Sequence, residues 1–163
     1  MGLNIGPWIV AVDPGTLSLG VCLSNPSGEI VRTWAVRSPH GAVLDSRLRF
    51  IAGVVGSVFD QVEREVDSVE LTIEDGIYRT RPKVCSMLGE VRGLVMAEAF
   101  RRGWPVRRMV PLAWKNMLTK PERDMKKDMK YVAYWNGRLG SGCRTPDEVD
   151  AVHIARKAVA GRR

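Results

Sequence analysis

Four acidic residues occur where a folded chain could bring them together. Asp13 ends the apolar run IVAVD, and Glu74 ends the apolar run VELTIE. Asp147 and Asp150 lie in the segment TPDEVDAVHIA. If that segment is helical, residues three positions apart share one face, with Cβ atoms about 5–6 Å apart. The carboxyl ends of parallel strands gather ligands at one edge of an open α/β sheet, and the helix can bring its pair to that edge.

The acids of the turn and of the last helix also have a purely local explanation. Asp-Pro-Gly is an ordinary turn sequence, so Asp13 is equally consistent with a simple hairpin. Thr145, Pro146 and Glu148 form the capping box T-x-x-E with proline at the first helical position. Asp147 would then serve the helix dipole in the first turn.

Metal binding is the chemistry that such a cluster would support. Carboxylates held close together in a partly buried site repel each other, and a cation between them relieves the repulsion. Oxygen ligands suit hard divalent ions such as Mg²⁺. Two ions about 3.5–4 Å apart would form the clamp used in phosphodiester hydrolysis. We therefore expect two Mg²⁺ ions per site, with Mn²⁺ as a substitute.

The apolar periodicity predicts an α/β fold that can position these acids. Residues 8–13, 17–24 and 29–36 read as three strands joined by short turns, hence antiparallel. The remaining predicted elements are a helix at 43–66, a strand at 69–74, a helix at 83–102, a strand at 106–110, one or two helices across 112–138, and a last helix at 146–160. Strands 1, 4 and 5 should be parallel neighbours, with helices on both faces of a mixed five-stranded sheet. We expect residues 1–163 to form one domain.

Charge indicates the class of partner. The 163 residues carry a formal net charge of +7. This charge is unevenly distributed: residues 1–100 carry a net charge of −3 and residues 101–163 a net charge of +10. Such asymmetry favours nucleic acid, although a basic surface can also serve only solubility. The basic part does not form an amphipathic membrane helix, so no membrane partner is expected. Three dispersed cysteines favour neither a disulfide framework nor a zinc site, and without a signal sequence we expect a cytoplasmic protein.

Three motifs in order resemble one known family. VDPGTLSLG, TIEDGIY followed by LGEVRGLVMAEA, and PDEVDAVHIA are similar to the motifs of RuvC-type Holliday junction resolvases, in the ribonuclease H-like superfamily. The resemblance runs from residue 8 to 160. It implies a ribonuclease H-like sheet and an endonuclease that resolves four-way DNA junctions by paired symmetric nicks. It also implies that Asp13, Glu74, Asp147 and Asp150 are the metal-binding catalytic acids, with family variation at the position of Asp147.

The resemblance further implies the residues that contact DNA. A basic residue near the scissile phosphate would be Lys126 or Lys127, and Lys115 falls near another basic position of the family. The segment that follows Glu74 would probe the junction centre with Tyr78, beside Arg79, Arg81 and Lys83. A solvated helix face and a plain exposed loop are the alternatives for these two segments. The helix at 83–102 would form the interface of a homodimer, since Gly89, Gly93 and Ala97 allow close approach.

Other functions are compatible with parts of the sequence. A nuclease of the same fold could cut forks, flaps and other branches without strict junction specificity. An inactive relative could bind junctions without cutting them. D-P-G-T-L-S-L-G also resembles the first phosphate loop of actin-like ATPases, but those proteins need two such domains, so we expect no nucleotide cofactor.

Overall fold

The computed structural model describes residues 6–76 and 82–162. Five strands form one sheet: β1 (Trp8–Asp13), β2 (Ser18–Ser24), β3 (Ile30–Arg37), β4 (Val69–Glu74) and β5 (Val106–Met109). Their order across the sheet is β3-β2-β1-β4-β5. β2 is antiparallel to both β1 and β3, whereas β4 is parallel to β1 and β5. The predicted mixed sheet, with its three antiparallel strands, is confirmed.

Six helices surround this sheet in the described residues: α1 (Leu44–Glu65), α2 (Pro82–Arg101), α3 (Pro111–Lys115), α4 (Lys120–Asp124), α5 (Met129–Leu139) and α6 (Pro146–Ala160). The prediction of one or two helices across 112–138 is wrong, because three short helices occupy that stretch. Thr119 caps α4 in a capping box with Glu122, and the Asp128 side chain caps α5. These two caps divide the segment, since each fixes a new helix start.

The two faces of the sheet bury two separate cores. The side chains of Val10, Val12 and Leu71 point to the face covered by α1 and α2, where Phe59 and Trp104 pack together. Ile9, Ala11 and Cys22 point to the opposite face. They pack there against α6 and the aromatic residues of α3 and α5. This alternation along each strand explains why the strands are almost wholly apolar: both faces are covered.

The helices of the described segments are not of a kind that crosses a membrane. None combines the length and the apolar character that a span requires.

Candidate active site

Two of the predicted acids meet at one edge of the sheet. Asp13 and Glu74 are the last residues of β1 and β4. These strands run parallel, and Val12 pairs with Ile73, so the two following residues lie side by side. The hairpin prediction for Asp-Pro-Gly also holds, since β1 and β2 pair with Asp13 opposite Gly20. The turn and the site therefore use the same residues.

A glycine on β2 lets α6 reach this edge. A Cβ at Gly20 would overlap the carbonyl group of Asp147 and lie 2.7 Å from the backbone nitrogen of Glu148. Any larger residue would therefore push the start of α6 away from the sheet. Ser18 Oγ, two residues earlier on β2, donates a hydrogen bond to the Asp147 carboxylate. Asp147 therefore packs directly against β2, the strand that pairs with β1 at Asp13.

Glu148 fixes the start of α6 from within the core. Its side chain is fully buried, and Oε2 accepts hydrogen bonds from the backbone nitrogens of Arg144 (2.7 Å) and Thr145 (2.9 Å). The predicted capping box is therefore confirmed. The other oxygen, Oε1, accepts from Thr33 Oγ1 of β3 at 3.0 Å. One buried carboxylate thus ties the α6 N-terminus to the sheet and holds the register of the acids that follow.

Asp150 lies one turn further along α6 and is only 1% exposed. Its Oδ1 accepts a hydrogen bond of 2.7 Å from the hydroxyl of Tyr131. Its Oδ2 pairs with the ammonium of Lys127, which precedes α5 and is half exposed. Both carboxylate oxygens therefore have a donor, as burial of a charge requires.

Glu74 is held by an aromatic donor as well. Trp114 of α3 donates its indole N–H to Glu74 Oε2 at 2.6 Å. The buried Trp114 ring stacks on His153 of α6, with centroids 5.7 Å apart and planes at 3°. His153 also meets the edge of Trp135 at 4.3 Å, and Trp135 contacts Tyr131 at 6.4 Å. A buried row of rings thus connects the residue that holds Glu74 to the residue that holds Asp150.

The electrostatics reflect the crowding of these acids. Burial raises the pKa of Asp13 well above its usual range, and Asp150, Glu74 and Asp147 raise it further. Lys127 opposes this effect. Burial alone would lower the pKa of Lys127. The negative charges of Asp150, Asp13 and Glu74 outweigh this effect, so the pKa of Lys127 is raised. The four acids and one lysine therefore share a single electrostatic environment.

The donor chemistry of the site suits a divalent cation. Its acids offer only carboxylate oxygens, and their mutual repulsion is relieved by positive charge between them. Within the described segments, however, no three His, Cys, Asp or Glu side chains are arranged closely enough to hold a metal directly. Lys127 supplies the positive charge at Asp150 instead. Metal binding at this site stays a prediction.

Of the remaining predicted residues, Lys83, Lys115 and Lys126 lie in the described part of the chain. Lys126 and Lys83 are exposed, and Lys115 places its ammonium 5.2 Å from the Trp114 ring centre. Tyr78, Arg79 and Arg81 lie outside the described residues. Of the two lysines left open by the sequence, Lys127 contacts an acid of the site.

Sequence reasoning missed the groups that hold the acids: Ser18, Thr33, Trp114 and Tyr131. One pattern could have revealed part of this set. Lys127, Tyr131 and Trp135 recur every four residues, as expected for one helix face. No local pattern points to Ser18 or Thr33, because their partners are more than 100 residues away.

Taken together, the sheet order and the acids at the ends of β1 and β4 and on α6 define a ribonuclease H-like α/β protein. No protein-family model matches the chain. Curated relatives named crossover junction endodeoxyribonuclease RuvC do match it. The protein from Rubrobacter xylanophilus is 26% identical over 151 residues, covering 90% of this chain and 82% of the relative. The protein from Anaeromyxobacter sp. (strain K) is 28% identical over 160 residues, covering 93% and 83%.

Solved structures agree on the fold. RuvC from T. thermophilus, in complex with a Holliday junction substrate, superposes with a TM-score of 0.75 at 20% identity, covering 96% of both chains. The yeast mitochondrial Holliday junction resolvase Ydc2 superposes with a TM-score of 0.53 at 14% identity, covering 93% of this chain and 77% of that one. The chain is therefore similar to the RuvC-type resolvases in sequence and in fold, as its motifs predicted.

Proposed function

We propose that this protein is a crossover junction endodeoxyribonuclease that resolves four-way DNA junctions by paired symmetric nicks. The observation that carries the proposal is the convergence of acids from β1, β4 and α6 on one edge of the sheet, beside Lys127. Named relatives that cover about nine-tenths of the chain support it. We further propose that residues 1–163 act as one nuclease domain.

In this proposal Asp13, Glu74, Asp147 and Asp150 hold divalent metal, with two Mg²⁺ ions as the expected complement. Metal bound here would supply an activated water for attack on phosphorus and stabilise the leaving oxygen. Seryl, indole and phenol donors orient the carboxylates before substrate arrives. Holding them in this way lowers the reorganisation that the reaction would otherwise require.

Lys127 is the basic residue that we assign to the scissile phosphate. It is half exposed, lies against Asp150, and would exchange that carboxylate for a phosphate oxygen when metal and DNA bind. Lys115, Lys126 and Lys83 add positive charge on α3, before α5 and on α2, which suits a backbone that carries one charge per phosphate. Tyr78, with Arg79 and Arg81, remains our candidate for contacting the junction centre.

A homodimer follows from the substrate, because two nicks at symmetric positions call for two sites related by a two-fold axis. The helix α2 offers a face for this contact. Val91, Val95 and Ala99 of α2 are buried against the protein's own sheet, whereas Gly93 and Ala97 are exposed. A Cβ at Gly93 would meet no atom within 4 Å. A second helix could therefore approach closely along this side.

The deciding experiment compares a synthetic four-way junction with a fork, a flap and linear duplex, each with Mg²⁺ and with Mn²⁺. Two symmetric nicks confined to the junction would support the proposal. Cutting of all branched substrates at similar rates would instead support a broader branched-DNA nuclease.

A second comparison separates catalysis from binding. Asp150→Asn should bind the junction at least as tightly as the parent and should not cut it, because the charge needed for metal is gone while repulsion of phosphate is reduced. Cutting by Asp150→Asn at near the parent rate would refute the metal assignment. Binding without cutting by the parent itself would identify an inactive binding module.

A further inference from the structure

A groove opens beside the site on the side away from β4. We call it the β3 groove; its walls are Val36 and Arg37 of β3, Phe50 and Val54 of α1, and Arg144 and Thr145 before α6. Its cavity volume is about 460 Å³, within the range of ligand pockets and far above the space of one water. Among the described residues, none of the wall belongs to β4.

The β3 groove adjoins the acidic site through β2 and the start of α6. β3 runs in the same direction as β1, since both are antiparallel to β2, so its end lies at the edge where Asp13 lies. Arg37, the last residue of β3, pairs with Ser18, and Ser18 donates to the Asp147 carboxylate. Thr145, in the groove wall, caps the helix that carries Asp147. A DNA strand bound at the acids could therefore continue into this groove.

Positive charge at the groove is available for phosphate. The Arg144 side chain is 72% exposed, although its guanidinium lies 3.6 Å from Glu148 Oε1, and Arg37 is exposed. In the described parts of the chain no carboxylate pairs with Arg37. Arg47 of α1 lies one turn before Phe50, and its Nε is buried without a hydrogen-bond partner among those residues. The guanidinium groups of Arg37 and Arg144 thus border a cavity that lies next to the acidic site.

The net charge of α1 changes along its length, from positive near the groove to negative at the far end. Its first two turns carry Arg47 and Arg49 against Asp45 alone, whereas its last two carry Asp60, Glu63 and Glu65 against Arg64. The first turns follow β3 and lie at the site edge. The acids of the last turns pair with Arg32 and Arg102, so the arginines of the first turns are the part of this asymmetry that the groove can use.

Phe50 gives the groove an apolar floor. The residue is 38% exposed, and Val54 extends the apolar surface one turn further along α1. A single exposed aromatic ring is ordinary on a protein surface. An exposed ring beside Arg37 and Arg144, in a cavity next to the acidic site, suits unpaired nucleotides, because bases can stack on the ring and phosphates can pair with the guanidinium groups.

We propose that the β3 groove binds the cut DNA strand next to the scissile phosphate, with an unpaired base on Phe50 and the adjoining phosphates on Arg37 and Arg144. This inference rests on the proposed nuclease function and adds a strand-binding subsite to it. The bound class is single-stranded or locally unpaired DNA. A perfectly paired duplex arm would not enter, because its bases are already stacked.

The first test uses Asp150→Asn protein, which should bind without cutting, and a four-way junction that carries 2-aminopurine at single positions near the nick mapped with the parent. Binding should change the fluorescence of one such base. Adding Phe50→Leu should remove that change and weaken junction binding about five- to 150-fold, the effect of losing one stacked base. Phe50→Tyr keeps the ring and should restore both.

The second test concerns charge. Arg37→Ala should reduce the slope of log affinity against log salt by about 1, the release expected for one phosphate contact. Arg64→Ala removes the same charge from the far end of α1 and should leave the slope unchanged. Urea unfolding of each variant confirms that it is folded before binding is measured.

These outcomes separate this inference from the proposed function. If the parent cuts junctions while Phe50→Leu and Arg37→Ala bind like the parent, the groove assignment is overturned and the nuclease assignment stands. Equal weakening by Arg37→Ala and Arg64→Ala would also overturn it, because the effect would then be general charge. A parent protein that cuts no branched DNA refutes the proposed function itself.

Discussion

The hydroxyl of Tyr131 should be coupled energetically to the carboxylate of Asp150. The two groups form a 2.7 Å hydrogen bond in the core, and Asp150 is almost fully buried. Tyr131→Phe removes this donor and changes little of the ring packing against Trp135. The carboxylate then keeps only Lys127, which is half exposed and contacts the other oxygen.

The expected magnitude follows from the charge of the acceptor. A hydrogen bond to a charged group contributes about 1.5–3 kcal/mol, and leaving a buried charged acceptor short of a donor costs at least as much. Tyr131→Phe should therefore lower the free energy of unfolding by about 2 kcal/mol. In the Asp150→Asn background the same change should cost less, since a neutral amide oxygen accepts a weaker bond. The coupling energy between the two substitutions should be about 1 kcal/mol or more.

Urea unfolding of the parent, both single variants and the double variant measures this coupling directly. Tyr134→Phe provides the matched control on the same helix, because the Tyr134 hydroxyl donates to Glu122 and not to Asp150. Its coupling with Asp150→Asn should be close to zero. If the Tyr131 and Tyr134 cycles give the same coupling, the hydroxyl does not hold Asp150, and the positioning described above is wrong.

Three further predictions test other parts of the structure. Gly20→Ala should lower both stability and cleavage, because its methyl would overlap Asp147; parent-like unfolding with parent-like activity would contradict the close approach. Burial lowers the pKa of His153 to about 4, so the contribution of this residue to the unfolding free energy should be fully present above about pH 6.5 and should fall by about 3 kcal/mol between pH 6.5 and 4. His153→Gln should flatten this part of the pH–stability profile relative to the parent, and an unchanged slope would refute the cause. Gly93→Gln should yield monomers by sedimentation while Gly53→Gln, equally open on α1, leaves the dimer intact; equal behaviour of both would count against the α2 interface.

The strands and helices that the sequence predicts well are those whose apolar pattern lies within the element itself. Alternation and apolar runs fixed all five strands within one or two residues, and three- and four-residue spacing located α1, α2 and α6. The capping box at Thr145 and Glu148 also needs only four residues of sequence. The stretch between β5 and α6 was misjudged because two caps, at Thr119 and Asp128, interrupt a pattern that reads as continuous helix.

The groups that hold the acids could not be predicted in the same way. Ser18 meets Asp147 across 129 residues, and Thr33 meets Glu148 across 115. Serine and threonine on a strand have many possible partners, and only the packing of α6 against β2 selects these. The sequence indicates that Trp114 and Tyr131 are core residues, and both are buried. Their polar atoms hold acids only because the fold brings Glu74 within reach of Trp114 and Asp150 within reach of Tyr131.

The same packing explains how this site can keep several acids together. A buried carboxylate is costly unless donors satisfy it, and like charges nearby increase the cost. Here each acid whose partner is known has a donor supplied by an element of the core: β2 for Asp147, α3 for Glu74 and α5 for Asp150. Asp13 has no such donor among the described residues and is the acid whose pKa is raised by burial and by the other three. Added positive charge at Asp13 would therefore relieve repulsion from all three other acids, at the end of β1, where the parallel part of the sheet meets the antiparallel part.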